Sequence, residues 1–277
     1  MEHIYNLLNV ILPFEWLGYD FMKNALLAVL LFTPIFGILG TIIVNNRMAF
    51  FSDALGHGAF TGIAIGSVIG FVQPIWSAIL FSIGFSVLIT IIKNKTRTST
   101  DTVIGVFSSV AIAVGLILVT SGSLDYKSYL VGDLLSISSR EIVALLILAI
   151  VVITLWIIFY NKVLLVSVNI SLAKSRGVNT IFVELAYTAF IAVAVTISIP
   201  LVGLLLINSL LVLPAAAARN VSVNVRRYNI VAILISIVSG LSGLILSYYF
   251  DTATGPTIVV ISALIYFITL SLRKRFA

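Results

Sequence analysis

The chain has 277 residues, of which 61% are hydrophobic and only 9% charged. A soluble domain carries about 25% charged residues because its surface faces water, so an ordinary water-soluble fold is excluded. Disorder, collagen, a disulfide scaffold and any cysteine-based metal or redox centre are excluded as well, with 18 Gly, 6 Pro and no Cys. A transmembrane helix needs about 20 apolar residues, which leaves room for roughly eight to ten spans and no separate soluble domain. The formal charge of +6 would point to nucleic acid in a soluble protein; here it reports membrane topology.

Residues 1–20 lack a basic start and carry Pro13, Glu15, Trp16 and Asp20, which predicts an interfacial segment rather than a cleaved signal peptide. Apolar runs follow at about 21–44, 48–72, 75–92, 102–121, 141–160, 182–199, 201–218, 230–249 and 256–272. They predict nine helices, or eight spans if the runs meeting at Ile199-Pro200-Leu201 form one broken segment. The expected fold is therefore all-α, a polytopic transmembrane bundle over 21–277 with no internal repeat.

Charge gives the orientation. With alternating spans, Arg47, Lys93, Lys95, Arg97, Lys162, Lys174, Arg176, Arg219, Arg226, Arg227 and the tail Arg273, Lys274 and Arg275 share one face, against Lys23, Lys127 and Arg140 on the other. Cytoplasmic loops collect Lys and Arg, so the N-terminus is expected outside and the C-terminus in the cytoplasm. Glu2, Glu15, Asp20, Asp125, Asp133, Glu141 and Asp251 then fall outside. There they either attract a cation or partner or are solvated loop charge.

Within the second run, Ser52-Asp53-Ala54-Leu55-Gly56-His57-Gly58 places one carboxylate and one imidazole inside the membrane. Residues four apart share a helical face, so Asp53, His57 and Thr61 form a polar stripe. A carboxylate at mid-bilayer is disfavoured by about 2.5–3.5 kcal/mol and marks function by default. Three roles suit the pair: ligands for a divalent metal, a proton relay, or a structural hydrogen bond. Further candidate ligands are Thr61 on the same stripe and Asn208, Ser209 and Asp251 on later runs. Beside this stripe, Ala54, Gly58, Gly62, Gly66 and Gly70 recur every fourth residue, and Ser239, Gly243 and Ser247 repeat the spacing later; small residues so placed admit a close helix neighbour in lipid.

The polar stretch at about 163–181 contains Ser171, Ala173, Lys174, Arg176, Gly177 and Val178. A Ser or Asn cap before it and Gly177 after it predict a short helix, basic in its last turn and too polar to span. It is either a docking element or a surface connector.

These residues together resemble the membrane permeases of bacterial ATP-binding-cassette importers for zinc and manganese. The likeness runs from Phe21-Met22-Lys23-Asn24-Ala25-Leu26 through Asn46-Arg47-Met48-Ala49-Phe50 and Ser52-Asp53-Ala54-Leu55-Gly56-His57-Gly58. Asp101-Thr102-Val103-Ile104-Gly105, Ser128-Tyr129-Leu130-Val131-Gly132-Asp133-Leu134-Leu135, Ala173-Lys174-Ser175-Arg176-Gly177-Val178, Leu213-Pro214-Ala215-Ala216-Ala217-Ala218-Arg219 and Asp251-Thr252-Ala253-Thr254-Gly255-Pro256-Thr257 follow in the family's order. Gly56 and Gly58 depart from the Ser and Ala usual in the Asp/His motif. The resemblance implies a homodimer in the bacterial cell membrane, two ATP-binding subunits, and an extracytoplasmic metal-binding lipoprotein delivering Zn2+ or Mn2+. It implies that Asp53 and His57 are metal ligands and that 163–181 couples to the ATPase. No catalytic residue, permanent cofactor or nucleic-acid partner is expected. The chain has no Gly-x4-Gly-Lys-Ser/Thr motif, so ATP would be hydrolysed on a partner chain. A proton-coupled secondary carrier using Asp53 and His57 as a relay is the alternative.

Overall fold

The computed structural model describes residues 15–70, 74–96, 98–119, 132 and 134–273. Among them there is no strand, and 89% of the structure is helix. The expectations for residues 1–14, Arg97, Asp125, Lys127, the Ser128–Val131 part of its motif, Asp133, Lys274 and Arg275 lie outside the described residues.

Among the described residues, 3-10 turns at Glu15–Gly18 and Leu134–Ser136 accompany ten α-helices. The helices are α1 (Asp20–Asn45), α2 (Phe51–Ile69), α3 (Pro74–Lys95), α4 (Thr100–Val119), α5 (Ser139–Val168), α6 (Ile170–Ser175), α7 (Thr180–Val202), α8 (Leu204–Val221), α9 (Val225–Phe250) and α10 (Thr254–Leu272). Each of the nine apolar runs coincides with one of these helices. Seven of the described helices, α1, α3, α4, α5, α7, α9 and α10, are long and apolar enough to cross a membrane, and α8 is a shorter apolar one. Helix α2 has 19 residues, or about 28 Å, but Asp53, His57 and its glycines leave it less apolar than the seven. The protein is a multi-pass membrane protein.

Two boundaries differ from the sequence expectation. Helix α7 runs through Pro200, and the chain breaks at Gly203 (φ 85°, ψ 151°), three residues later. Pro200 has no N–H, so α7 lacks one i→i−4 bond there, but its fixed φ is compatible with a helix and α7 continues to Val202; the positive φ at Gly203 is what ends it. Helix α5 extends to Val168, beyond the expected end near 160, because Asn161 and Lys162 do not interrupt the helical hydrogen bonds of a segment with apolar residues on both sides.

The chain forms two compact units. One comprises the described parts of Met1–Thr41, Val131–Val151 and Leu201–Ala277, the other those of Ile42–Leu130 and Val152–Pro200. In the first, Phe32, Ile35 and Phe36 are fully buried, and glycines bring helices into backbone contact: a Cβ at Gly40 would lie 2.0 Å from the Leu211 carbonyl oxygen, and one at Gly243 would lie 2.7 Å from Ile258 Cα. Lipid offers no hydrophobic drive between helices, so close packing of this kind supplies the association. The seam through Gly243 continues to a Ser247–Thr254 hydroxyl pair at 3.0 Å, in line with the Ser239-Gly243-Ser247 spacing.

In the second unit α2 is gripped by α3 and α4. A Cβ at Gly62 would meet Ala78 Cα at 2.7 Å, Gly58 faces the Phe85 ring, and Gly115 of α4 lies against Phe60 and Thr61. Ser77 Oγ donates to the Gly62 carbonyl at 2.8 Å. Gly66 is buried. Gly70 ends α2 as an exposed left-handed cap (φ 83°), so its part in the four-residue repeat is termination and the packing stripe stops at Gly66.

Candidate metal site and docking helix

Helix α2 starts at Phe51, so Asp53 is the third residue of its first turn rather than the middle of a span. Amide groups at a helix N-terminus carry partial positive charge and favour a carboxylate there, which lowers the penalty of keeping Asp53 at the membrane. One turn on, His57 Nε2 lies 3.6 Å from Asp53 Oδ2; the His57 side chain is 13% exposed and that of Asp53 44%. This distance is too long for a hydrogen bond. Donors about 2.0–2.2 Å from one metal ion sit roughly 3.4–3.6 Å apart at angles of about 110–120°, so the two atoms are placed where a single ion can touch both. His57 Nδ1 is buried without a hydrogen-bond partner among the described residues, whereas an imidazole in a permanent site has its second nitrogen held.

The other predicted residues fall differently. Thr61 continues the stripe, but its hydroxyl donates to the Ala111 carbonyl oxygen at 2.6 Å, with the His57 carbonyl at 3.0 Å; it fastens α2 to α4. Asn208 and Ser209 are half-buried on α8, and Asp251 is the exposed left-handed C-cap of α9 (φ 50°). All three belong to the first unit, while Asp53, His57 and Thr61 belong to the second. Among the described residues no three His, Cys, Asp or Glu side chains cluster in a way that could hold a metal.

The stretch at 163–181 contains the expected short helix. Asn169 caps α6, its Oδ1 accepting from the Leu172 N–H at 2.9 Å. At the other end Gly177 takes φ 73°, its N–H donating to the Lys174 carbonyl and the Val178 N–H to the Ala173 carbonyl, both at 3.0 Å. This is a Schellman closure, available because Gly tolerates the left-handed turn. Ala173 is fully buried beneath the helix. Ser171, Lys174 and Arg176 are exposed together with Ile170 and Leu172, so the outer face of α6 is both basic and apolar.

One buried cluster was not anticipated. The sequence points to Asp53 as the single carboxylate inside the membrane, yet Glu184 in the first turns of α7 is 8% exposed. It is ion-paired with Lys93 of α3, its Oε2 accepts from Asn94 Nδ2 at 2.7 Å, and Tyr187 Oη approaches its Oε1 at 3.4 Å. In sequence Lys93 stands just past the end of the run 75–92 and looks like a solvated loop charge; the one available signal is that Glu184 falls inside the run 182–199, one turn before Tyr187.

The model of the ABC 3 transport family matches residues 18–273, nearly the whole chain. The chain belongs to the ABC 3 transport family. Proteins similar to it include the high-affinity zinc uptake system membrane protein ZnuB of Haemophilus influenzae, 30% identical over 260 residues and covering 93% of this chain and 99% of that protein. The manganese transport system membrane protein MntC of Listeria monocytogenes is 29% identical over 252 residues, 90% of each chain. Among solved structures, PsaBC from Streptococcus pneumoniae in complex with Fab superposes with a TM-score of 0.81 at 24% identity, over 97% of this chain and 95% of the other. The fold is thus shared over 97% of this chain, and the permease resemblance carried by the sequence motifs holds.

Proposed function

We propose that this ABC 3 family member is the permease subunit of an ATP-driven importer that passes a divalent transition-metal ion, Zn2+ or Mn2+, from an extracytoplasmic binding lipoprotein into the cytoplasm. The observation that carries this reading is the Asp53–His57 pair on one face of α2, in a chain whose relatives are named for zinc and manganese uptake. A carboxylate oxygen and an imidazole nitrogen suit both metals. Two protein ligands with one unheld imidazole nitrogen favour brief residence, and a conducting path requires weak or short-lived binding. Two copies of the chain form the pathway. Two ATP-binding subunits seat against α6 on the cytoplasmic face and hydrolyse ATP, and their closure alternates access to the metal. The permease itself catalyses no reaction. The basic connections face the cytoplasm, with the N-terminus outside.

The test is uptake of radiolabelled zinc and manganese by vesicles containing the permease and its ATP-binding subunits. Asp53→Ala and His57→Ala variants that insert and assemble are expected to lose about tenfold or more of the uptake, since even residues that merely orient metal ligands contribute 10–100-fold. Wild-type uptake by both variants would overturn the site. Uptake that follows an imposed proton gradient and ignores ATP would replace the importer with a proton-coupled carrier using the same pair.

A further inference from the structure

We propose that Lys93 and Glu184, with Asn94, form the tie through which movement of α6 reaches the helix that carries Asp53 and His57. They are positioning residues of transport and not ligands. This inference rests on the proposed function and deepens it.

The tie begins at the docking helix. Helix α7 starts five residues after α6 ends, and the connection has little slack: the Schellman turn at Gly177 closes one side, and Asn179 Oδ1 accepts from the Phe182 N–H at 3.1 Å on the other. Glu184 lies in the next turn. Both of its carboxylate oxygens are engaged by α3, one by the Lys93 ammonium and one by Asn94. Four residues on along α7 and four back along α3, the Thr188 and Thr90 hydroxyls meet at 3.0 Å. The two helices are therefore joined at two successive antiparallel rungs, and α3 cannot slide along α7 without breaking directional bonds. Lys93 Nζ also lies 3.9 Å from Met48 Sδ, in the turn that leads into α2.

From α3 the path to the metal ligands is backbone-close. The Phe85 ring covers Gly58, the neighbour of His57, and Ala78 and Ser77 abut Gly62, the neighbour of Thr61. All of these residues belong to one unit. A seam that only had to hold α3 against α7 would do as well or better with apolar side chains, because a buried ion pair roughly breaks even against them. What apolar contacts do not supply is a fixed register, and charged groups inside a membrane segment mark function by default.

The experiment uses the full transporter in vesicles and reads metal ions taken up per ATP hydrolysed. The variants are Lys93→Met, Glu184→Gln and the double substitution K93M/E184Q, which removes both charges at nearly constant shape and so avoids stranding one of them. The double variant is expected to lower ions per ATP by about fivefold or more, the lower end of coupling between linked sites. Lys93→Arg, which keeps the pair, should hold the ratio near wild type. Uptake and hydrolysis that fall in the same proportion, or not at all, give an unchanged ratio and overturn the tie. A wild-type assembly without ATP-dependent uptake of either metal overturns the proposed function and the tie with it, whereas wild-type uptake with undiminished ratios in the variants overturns the tie alone.

Discussion

Residues that face each other across helices set what this chain tolerates. At Gly62 a methyl group would sit 2.7 Å from backbone of α3, while a Cβ at Gly84, on the same helix pair, would meet nothing within 4 Å. Gly62→Ala is therefore expected to destabilise the purified protein by about 1–3 kcal/mol through overpacking, and Gly84→Ala to be neutral or stabilising by up to about 1 kcal/mol through helix propensity. Thermal unfolding in detergent checks both; equal shifts would show that α2 and α3 can separate at no penalty. At this scale the sequence was legible where a residue violates its surroundings: Asp53 and His57 stand out because charge is unfavourable in lipid, and the Gly58–Gly62 spacing because small residues at that interval have a packing meaning. It was illegible where meaning depends on a distant partner. Glu184 and Lys93 lie 91 residues apart, and no local pattern distinguishes a buried pair from two solvated charges. Thr61 likewise fits the polar stripe by spacing, and only its bond to Ala111 of α4 shows that its hydroxyl has another use.

Helices were recovered from the sequence because each apolar run is long and punctuated; their ends were recovered only where the punctuation is chemical. Asn169 and Gly177 bound α6 as capping rules require, and α6 is where disruption is best aimed. Gly177→Pro cannot adopt φ 73°, since proline is held near −65°; it is expected to unravel the last turn of α6 and abolish co-purification of the ATP-binding subunit while the chain still inserts. Unchanged co-purification would count against α6 as the docking element. Pro200 misled because proline commonly stops a helix, and the residue that does so here is Gly203. Its φ and ψ of 85° and 151° fall where only glycine sits without strain, and a Cβ on the facing Gly132 would lie 2.2 Å from its amide nitrogen. Gly203→Ala should lower stability by about 1–3 kcal/mol, measured by the same unfolding assay.

Topology is the property of the whole chain that composition reaches most directly. Sixteen Lys and Arg against ten Asp and Glu, sorted by connection, yield an orientation that the absence of cysteine makes easy to test. Single cysteines introduced at the exposed Arg140 and Lys174 become the only thiols in the protein. A membrane-impermeant maleimide added to intact cells should label the first and spare the second; the reverse pattern would invert the orientation, and labelling of both would remove the membrane from between them. The division into two units was not legible, because each is assembled from segments distant in sequence, and apolar periodicity carries no information about which helices meet.

Helix α6 has six residues, far below the roughly 12–15 at which an isolated helix becomes marginally stable in water. It owes its shape to closure at both ends and to Ala173 anchored beneath it. A partner that seats on it therefore meets a surface already ordered, and no part of the binding free energy is diverted into folding the epitope. A synthetic peptide spanning residues 165–180 carries every side chain of that surface but must be ordered at the moment of contact. It should compete with the intact permease only weakly, and a variant of the peptide cross-linked into the helical form should compete far better.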